Sequence, residues 1–380
     1  VRIGIDGSLL YGNYSGVEYA IWNLLQSLAK MDGDDEFVVY VPHDFRSDVE
    51  FPSNWRFVRA RFDGEQKLLR VLWQQLVLPR LMQKDKLDVF HAPAYVMPLR
   101  SPVPTVLTVY DAIAFTHPQF CTLANRLHYR RIMPPSLQKA RRVIVPSQAI
   151  RSDLVNVLHV PAEKIEVIPL GVEDLFFAEP RHEHRRTENR ATSVSEWSNT
   201  EPSRERQRAV KEKYQLPDRF FLFVGNIEAK KNLGVLTAAS RSLPLVIAGG
   251  KVRGAYCVLR IAEGDRLLGY VPRADLPALY SLATAFVFPS HYEGFGLPPL
   301  EAMACGTPVI ASTAGALPEV VSKAAMLANP DEPSEWALAM ELIVKDASLR
   351  ERLIQRGRER VRQFTWERTA QTTLEVYRSQ

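Results

Sequence analysis

Two glutamates eight positions apart, Glu293 and Glu301, frame a loop in which Gly294 and Gly296 alternate with Phe295 and Leu297. The full run is Phe288-Pro-Ser-His-Tyr-Glu-Gly-Phe-Gly-Leu-Pro-Pro-Leu-Glu-Ala-Met-Ala-Cys-Gly306. It reads as a strand, a glycine-rich loop and a helix. Gly294 and Gly296 leave the backbone bare, so a ligand can approach free amides at the positive end of the helix dipole. Pro298 and Pro299 suit a first helical turn, whose amides have no intrahelical acceptor. A carboxylate can accept two hydroxyl hydrogen bonds, which fits the vicinal diol of a ribose or hexose. Glu293 is expected in the loop and Glu301 in the helix's first turn. The plainer alternative for Glu301 is a capping box or a favourable dipole contact. Pro298, one candidate cap, has no amide hydrogen for such a box.

A second chemical cluster follows another strand, in Phe223-Val-Gly-Asn-Ile-Glu-Ala-Lys-Lys-Asn-Leu233. Lys231 is a compact charge that can meet a diphosphate; a solvated turn is the alternative. In the first half, Asp6 to Val17 reads as a strand end and a loop with three glycines, and Gly16 stands before a helix. The stretch Thr105 to Pro118 reads as a buried strand ending in Tyr110 and Asp111. Tyr110 can hydrogen-bond in a cleft. Asp111 can orient an acceptor, or simply cap a turn. His91 ends another strand and has the same two readings.

The elements that must position these residues alternate along the chain. Strands are expected at 1–6, 37–41, 89–91, 105–109, 143–145, 165–168, 220–224, 245–248, 285–288 and 309–311. Helices are expected at 17–30, 65–83, 148–158, 233–240, 276–282, 299–305, 335–345, 348–363 and 366–377. Strands apolar on both faces and separated by helices imply parallel sheets covered on both sides. The fold class is therefore α/β: two doubly wound, Rossmann-like domains facing a cleft, with ligands beyond the strands' carboxyl ends. Residues 179–208 are rich in Arg, Glu, Ser, Thr and His and read as a flexible insertion. Within 65–83, Leu68, Leu69, Leu72, Trp73, Leu76 and Val77 form a wide apolar stripe. Core packing is the expectation, with a membrane edge as the alternative.

Composition narrows the classes. The chain of 380 residues is 46% hydrophobic and 24% charged, an ordinary globular balance with room for two or three domains. Cys121, Cys257 and Cys305 are an odd number without metal-ligand spacing, which opposes a disulfide framework or a structural zinc site and favours a reducing compartment. The chain opens on a strand pattern without a basic leader, so no secretory signal is expected. No apolar run is long enough for a spanning helix. Formal charge is +5, and between Asp111 and Asp153 there is no carboxylate, yet there are seven Arg or Lys residues. That stretch suits an anionic lipid surface or a lipid-diphosphate acceptor, or a solvated helix face. No nucleic-acid motif accompanies it.

The run 288–306, continuing through Thr307-Pro-Val-Ile and 311–320, resembles the signature of family 4 glycosyltransferases, which have the GT-B fold. The resemblance covers nearly the whole chain. It implies an acceptor-binding domain at 1–170, a donor-binding domain at 171–362, and a final helix at 363–380 returning to the first domain. Glu293 and the amides of Gly294, Phe295 and Gly296, with Leu297, would hold the donor sugar. Glu301 would hold the ribose, Lys231 the diphosphate, and the backbone at Tyr270 and Val271 the base. Gly16 would face the donor from the other domain. Two positions depart from the pattern: Asn226 stands where many relatives carry Arg, and Tyr110 where His is common. An Asn at the first place is familiar among mannosyltransferase-like members and points to a GDP-sugar rather than a UDP-sugar. The implied activity is a cytoplasmic, retaining hexosyl transfer, mannose favoured, from a nucleotide-sugar to a glycan or lipid-linked saccharide. No metal is expected, since no Asp-X-Asp pair of the kind that holds a metal on a diphosphate is recognised, and the enzyme is expected to touch the inner face of the membrane peripherally. The rival readings are a nucleotide-sugar epimerase of the same fold and an inactive sugar-binding module.

Overall fold

A computed structural model describes residues 1–12, 16–177, 204–250 and 262–380. The chain divides into two compact units, Val1–Gly171 with Phe364–Gln380, and Val172–Gln363.

The first unit is built on a seven-stranded sheet. Its strands are β1 (Arg2–Asp6), β2 (Glu36–Val41), β3 (Trp55–Arg59), β4 (Val89–Ala92), β5 (Thr105–Thr108), β6 (Arg142–Val145) and β7 (Ile165–Val167). The order is β3-β2-β1-β4-β5-β6-β7, every pairing parallel. Ile3 of β1 lies opposite Phe37 on one side and Val89 on the other. Successive connections leave β1 in opposite directions, so the crevice beyond β1 and β4 is a topological switch point. The helix Gly16–Ala29 buries Ala20, Ile21, Leu24, Leu25 and Leu28, an apolar stripe of helical period. The helix Trp366–Arg378 packs against it and adds Trp366, Ala370, Leu374 and Tyr377 to the same core.

The second unit repeats the plan with β8 (Phe221–Val224), β9 (Leu245–Ala248), β10 (Arg266–Gly269), β11 (Ala285–Phe288), β12 (Val309–Ser312) and β13 (Met326–Ala328). These form a six-stranded sheet in the order β10-β9-β8-β11-β12-β13, again all parallel. Its switch point falls between β8 and β11. The four central strands are apolar on both faces because helices cover both.

Several expectations need correction. The stretch 65–83 is two helices, Lys67–Leu76 and Leu78–Lys84, divided at Val77. Pro79 has no amide hydrogen to continue the ladder. The leucine stripe there does not enter the core: Leu68 is 72% exposed and Leu76 58%, and Leu69, Leu72 and Val77 are exposed as well; only Trp73 of the stripe is buried. A helix at Leu123–Lys139, with Pro134 and Pro135 inside it, was not anticipated. Of the insertion read at 179–208, residues 179–203 lie outside the described residues, and 204–208 open a helix, Arg204–Lys213. Cys257 also lies outside them; Cys121 and Cys305 are free thiols.

Candidate active site

The loops after β8 and β11 leave the second sheet at its switch point. Gly225 follows β8 with φ +148°, and its amide donates to Ala248 O at 2.9 Å. Opposite it, Gly249 has φ +155°, and a Cβ there would stand 1.8 Å from Gly225 O. Only glycine lets the two strand ends lie so close. The chain then turns through Ala229–Lys231, and Asn232, left-handed at φ 51°, starts the helix Leu233–Ala238. The β11 loop is tied to this turn by His291 N donating to Lys230 O at 2.8 Å.

This arrangement brings Lys231 and Glu293 together. Lys231 Nζ donates to Glu293 Oε1 at 2.6 Å, each side chain being only 12% exposed. The ammonium also lies 4.8 Å from the centroid of the Phe288 ring. Burial pushes the Glu293 carboxyl up, but Lys231, then Lys230, outweigh it and hold the group below the usual carboxylate range. Glu293 is thus an ionised acceptor next to a cation that can meet an anion. Asn226, on the same turn, is exposed.

Gly296 caps the helix Leu297–Ala304 in a left-handed conformation, φ +110°, with Leu317 against its Cα. No side chain caps this helix, so the capping-box alternative for Glu301 falls. Pro298 and Pro299 do occupy the first turn, but Glu301 lies in the second turn rather than the first, because the helix begins at Leu297. Gly294 and Phe295 complete the loop, and Phe295 is buried. Gly315, φ +58°, supports the loop from below: a Cβ there would meet Glu293 O at 2.6 Å, and Ala316 N donates to that oxygen at 3.0 Å.

Glu301 is buried at 4% exposure and accepts from the Tyr280 hydroxyl at 2.9 Å and from Arg273 at 3.0 Å. Arg273 also forks onto Glu173, its Nε donating at 2.8 Å, and stacks 4.8 Å from the centroid of the Phe176 ring. Burial, with Glu301 alongside, pushes the Tyr280 hydroxyl far up, so it stays a donor. The sequence reading missed Arg273, Tyr280 and Glu173. Arg273 and Glu173 are 100 positions apart, and nothing local marks the pairing. Close to Arg273 in the chain, Tyr270 is 66% exposed and Val271 is buried.

In the first unit, Gly16 is the first residue of its helix, with φ +43°. Tyr110 packs on the core and stands edge-on to Tyr95; burial raises its hydroxyl's pKa, with Glu18 adding to the effect. Asp111 accepts from Tyr95 at 2.8 Å and from Ile113 N at 3.1 Å, so it closes a turn as well as meeting a tyrosine. His91 is buried, with Nε2 2.7 Å from Thr108 Oγ1 and Nδ1 2.6 Å from the Tyr377 hydroxyl. Burial drives its pKa down to about 3, so it is a neutral structural group and not a cleft residue. A cavity of about 270 Å³ opens at this sheet's switch point, between Ser8 after β1 and Pro93 to Val96 after β4.

Two doubly wound parallel domains, one carrying a largely enclosed Lys–Glu pair and a glycine-rich loop at its switch point, define a GT-B protein. Residues 14–174 match the family described as Glycosyltransferase Family 4, and residues 203–360 the one described as glycosyl transferases group 1. The chain is 30% identical to O-antigen chain mannosyltransferase B of Escherichia coli over 305 residues, 76% of this chain and 74% of that protein. It is 35% identical to the serotype-specific mannosyltransferase WbdA of the same organism over 191 residues, 46% of this chain but only 23% of WbdA. Among solved structures, sucrose-phosphate synthase from Thermosynechococcus elongatus superposes with a TM-score of 0.73 at 20% identity, covering 100% of this chain and 98% of that one. The chain belongs to glycosyltransferase family 4, and it is a hexosyltransferase.

Proposed function

We propose that the chain is a retaining mannosyltransferase that needs no metal and moves mannose from GDP-mannose to a glycan or lipid-linked saccharide during polysaccharide synthesis. The Lys231–Glu293 pair carries this reading. As the anomeric C–O bond to the diphosphate breaks, negative charge grows on the leaving oxygen, and Lys231 is the fixed cation for it. It supplies charge that a divalent cation supplies elsewhere. Glu293, freed from Lys231 by the diphosphate, accepts hydroxyl hydrogen bonds from the sugar. Glu301 receives two donors and has about two further lone-pair sites open for ribose hydroxyls. The acceptor oxygen bonds to the anomeric carbon on the face the diphosphate leaves, and its proton passes to a diphosphate oxygen. Tyr110 and Asp111 belong to the acceptor side.

The choice of GDP-mannose rests on the mannosyltransferase relatives and on Asn226. A thermal-shift panel of GDP, UDP, ADP and their sugars tests it: a rise with guanine nucleotides alone is expected, and a rise with UDP alone would overturn it. The anomeric configuration of the product, read by NMR, must match the donor's, and a chelator must leave turnover unchanged.

We further propose peripheral contact with an anionic membrane at the cytoplasmic face. Among the described residues no helix is long and apolar enough to cross a membrane. Exposed Leu68, Leu72, Leu123 and Leu127 lie on two helices bridged by Lys67 Nζ donating to Asn125 Oδ1 at 3.0 Å, and Arg126 and Arg131 flank them. Sedimentation with anionic vesicles should capture the protein and lose it on Leu68→Ser with Leu72→Ser.

A further inference from the structure

The cavity at the first sheet's switch point is lined by groups of unusual balance. Two helices face it with pairs spaced three apart: Lys67 and Arg70 on Lys67–Leu76, Asn125 and His128 on Leu123–Lys139. Residues so spaced share a face, so each pair points the same way. Arg70 donates to Gly64 O at 2.9 Å and lies 5.8 Å from the centroid of the Tyr11 ring; Lys67 donates to Asn125. Neither cation has a carboxylate partner among the described residues. Two carboxylates line the same cavity. Asp6 is engaged by Gln74 at 2.8 Å and Ser8 N at 3.0 Å; Glu18 sits towards Tyr110 and Tyr129. Burial lowers the His128 pKa, and the fields of Lys67 and Arg70 lower it further, which marks a positive corner. Tyr95 and Tyr129 form an adjoining aromatic wall, their ring centroids 5.2 Å apart.

Two like charges one helical turn apart, neither paired with a carboxylate among the described residues, favour an anion that can meet both. We propose that this cavity takes the acceptor by a phosphate ester, held between Lys67 and Arg70, with its sugar ring against Tyr95 and Tyr129. The assignment rests on the glycosyltransferase reading, but its cations belong to the first unit and not to the donor site. Arg can meet phosphate through two parallel N–H donors and Lys as a point charge, so one anion uses both. Amphiphilic sugar phosphates and free ones share this chemistry.

Calorimetry on the full chain with GDP at saturation separates the possibilities. Three probes are titrated: octyl α-mannoside, α-mannosyl octyl phosphate and mannose 1-phosphate. The octyl phosphate is expected to bind about ten-fold or more tightly than the neutral mannoside, the scale of a charge-assisted pair. Lys67→Gln with Arg70→Gln should erase that preference while leaving octyl mannoside and GDP affinities unchanged, and added salt should do the same in the unaltered protein. Equal binding of mannose 1-phosphate assigns the site to free sugar phosphates; binding of the octyl phosphate alone assigns it to lipid-linked ones. Equal affinity for charged and neutral mannosides overturns the proposal, as does a preference that survives the double substitution or the failure of every charged probe to bind. Should GDP fail to bind while the phosphates still do, the donor reading falls and this one stands.

Discussion

Glu293 stays ionised in a largely enclosed place because Lys231 Nζ is 2.6 Å away. Replacing Lys231 by Met keeps the packing on Phe288 and strands the carboxylate, so the second unit should lose about 1–3 kcal/mol in denaturant unfolding at neutral pH. Since the folded pKa of Glu293 is depressed, the pair's contribution is complete above the unfolded carboxyl value and disappears as pH falls through the folded one. The cost of Lys231→Met should therefore shrink in acid; a cost that does not vary with pH would mean that packing, not charge, is lost. Glu293→Gln keeps the shape and removes the ionised acceptor, and kcat/KM should fall about a hundredfold, the usual effect of deleting one transition-state contact. His91 behaves in the opposite sense from a salt-bridged histidine. Its folded pKa, about 3, lies below the unfolded 6.5, so the unfolded chain takes up a proton that the folded one refuses. Stability of the first unit should drop by about 1.4 kcal/mol per pH unit below 6.5, and His91→Asn should flatten that slope in unfolding curves taken between about pH 5.5 and 7, above the range where ordinary carboxylates titrate.

At the scale of elements, glycines set how close the loops approach. Gly315→Ala would push a methyl group into the backbone of Glu293, at a φ that disfavours alanine. The loop must move, and kcat/KM should drop at least tenfold with a lowered melting temperature; full activity in that variant would show the loop is not held from Gly315. The exposed leucines give the contrasting case. Leu68→Ser should change stability by less than about 0.5 kcal/mol, as measured by chemical denaturation, because the side chain is mostly in solvent. These two sites also show what a sequence discloses. Strands covered on both faces, such as β8 and β11, are uninterrupted apolar runs and could be read directly. The three strands that escaped, β3, β10 and β13, are all sheet edges, where exposed positions break the pattern. Glu293, Gly294 and Gly296 were legible because they are contiguous, whereas Arg273 and Glu173 meet only through the tertiary fold. The leucine stripe misled because helical period reports an apolar face without saying what covers it.

The whole chain leaves its first unit at Gly171 and returns to it at Phe364. The return is tightly specified: a Cβ on Gly171 would stand 2.2 Å from Trp366 N, Thr369 Oγ1 donates to Pro169 O at 2.7 Å, and Arg378 pairs with Asp35 at 2.6 Å. Burial pushes the Asp35 carboxyl up, but the Arg378 guanidinium outweighs it and holds the group below the usual carboxylate range. The second unit has its own sheet and its own core, with Trp336 and Tyr280 fully buried. Removing residues 364–380 therefore takes Trp366, Leu374 and Tyr377 out of one core and leaves the other complete. A single large core truncation costs about 2–5 kcal/mol, so losing three should exceed the stability of an ordinary domain. Calorimetry of the truncated chain should show the first unit's transition lost and the second's retained. Saturating GDP should then raise the surviving transition as much as it raises the corresponding one in the full chain, since every donor contact assigned to Lys231, Glu293 and Glu301 lies between Val172 and Gln363. A surviving transition that GDP fails to move, in a truncated chain whose full-length parent responds, would mean that the first unit supplies part of the nucleotide's binding energy.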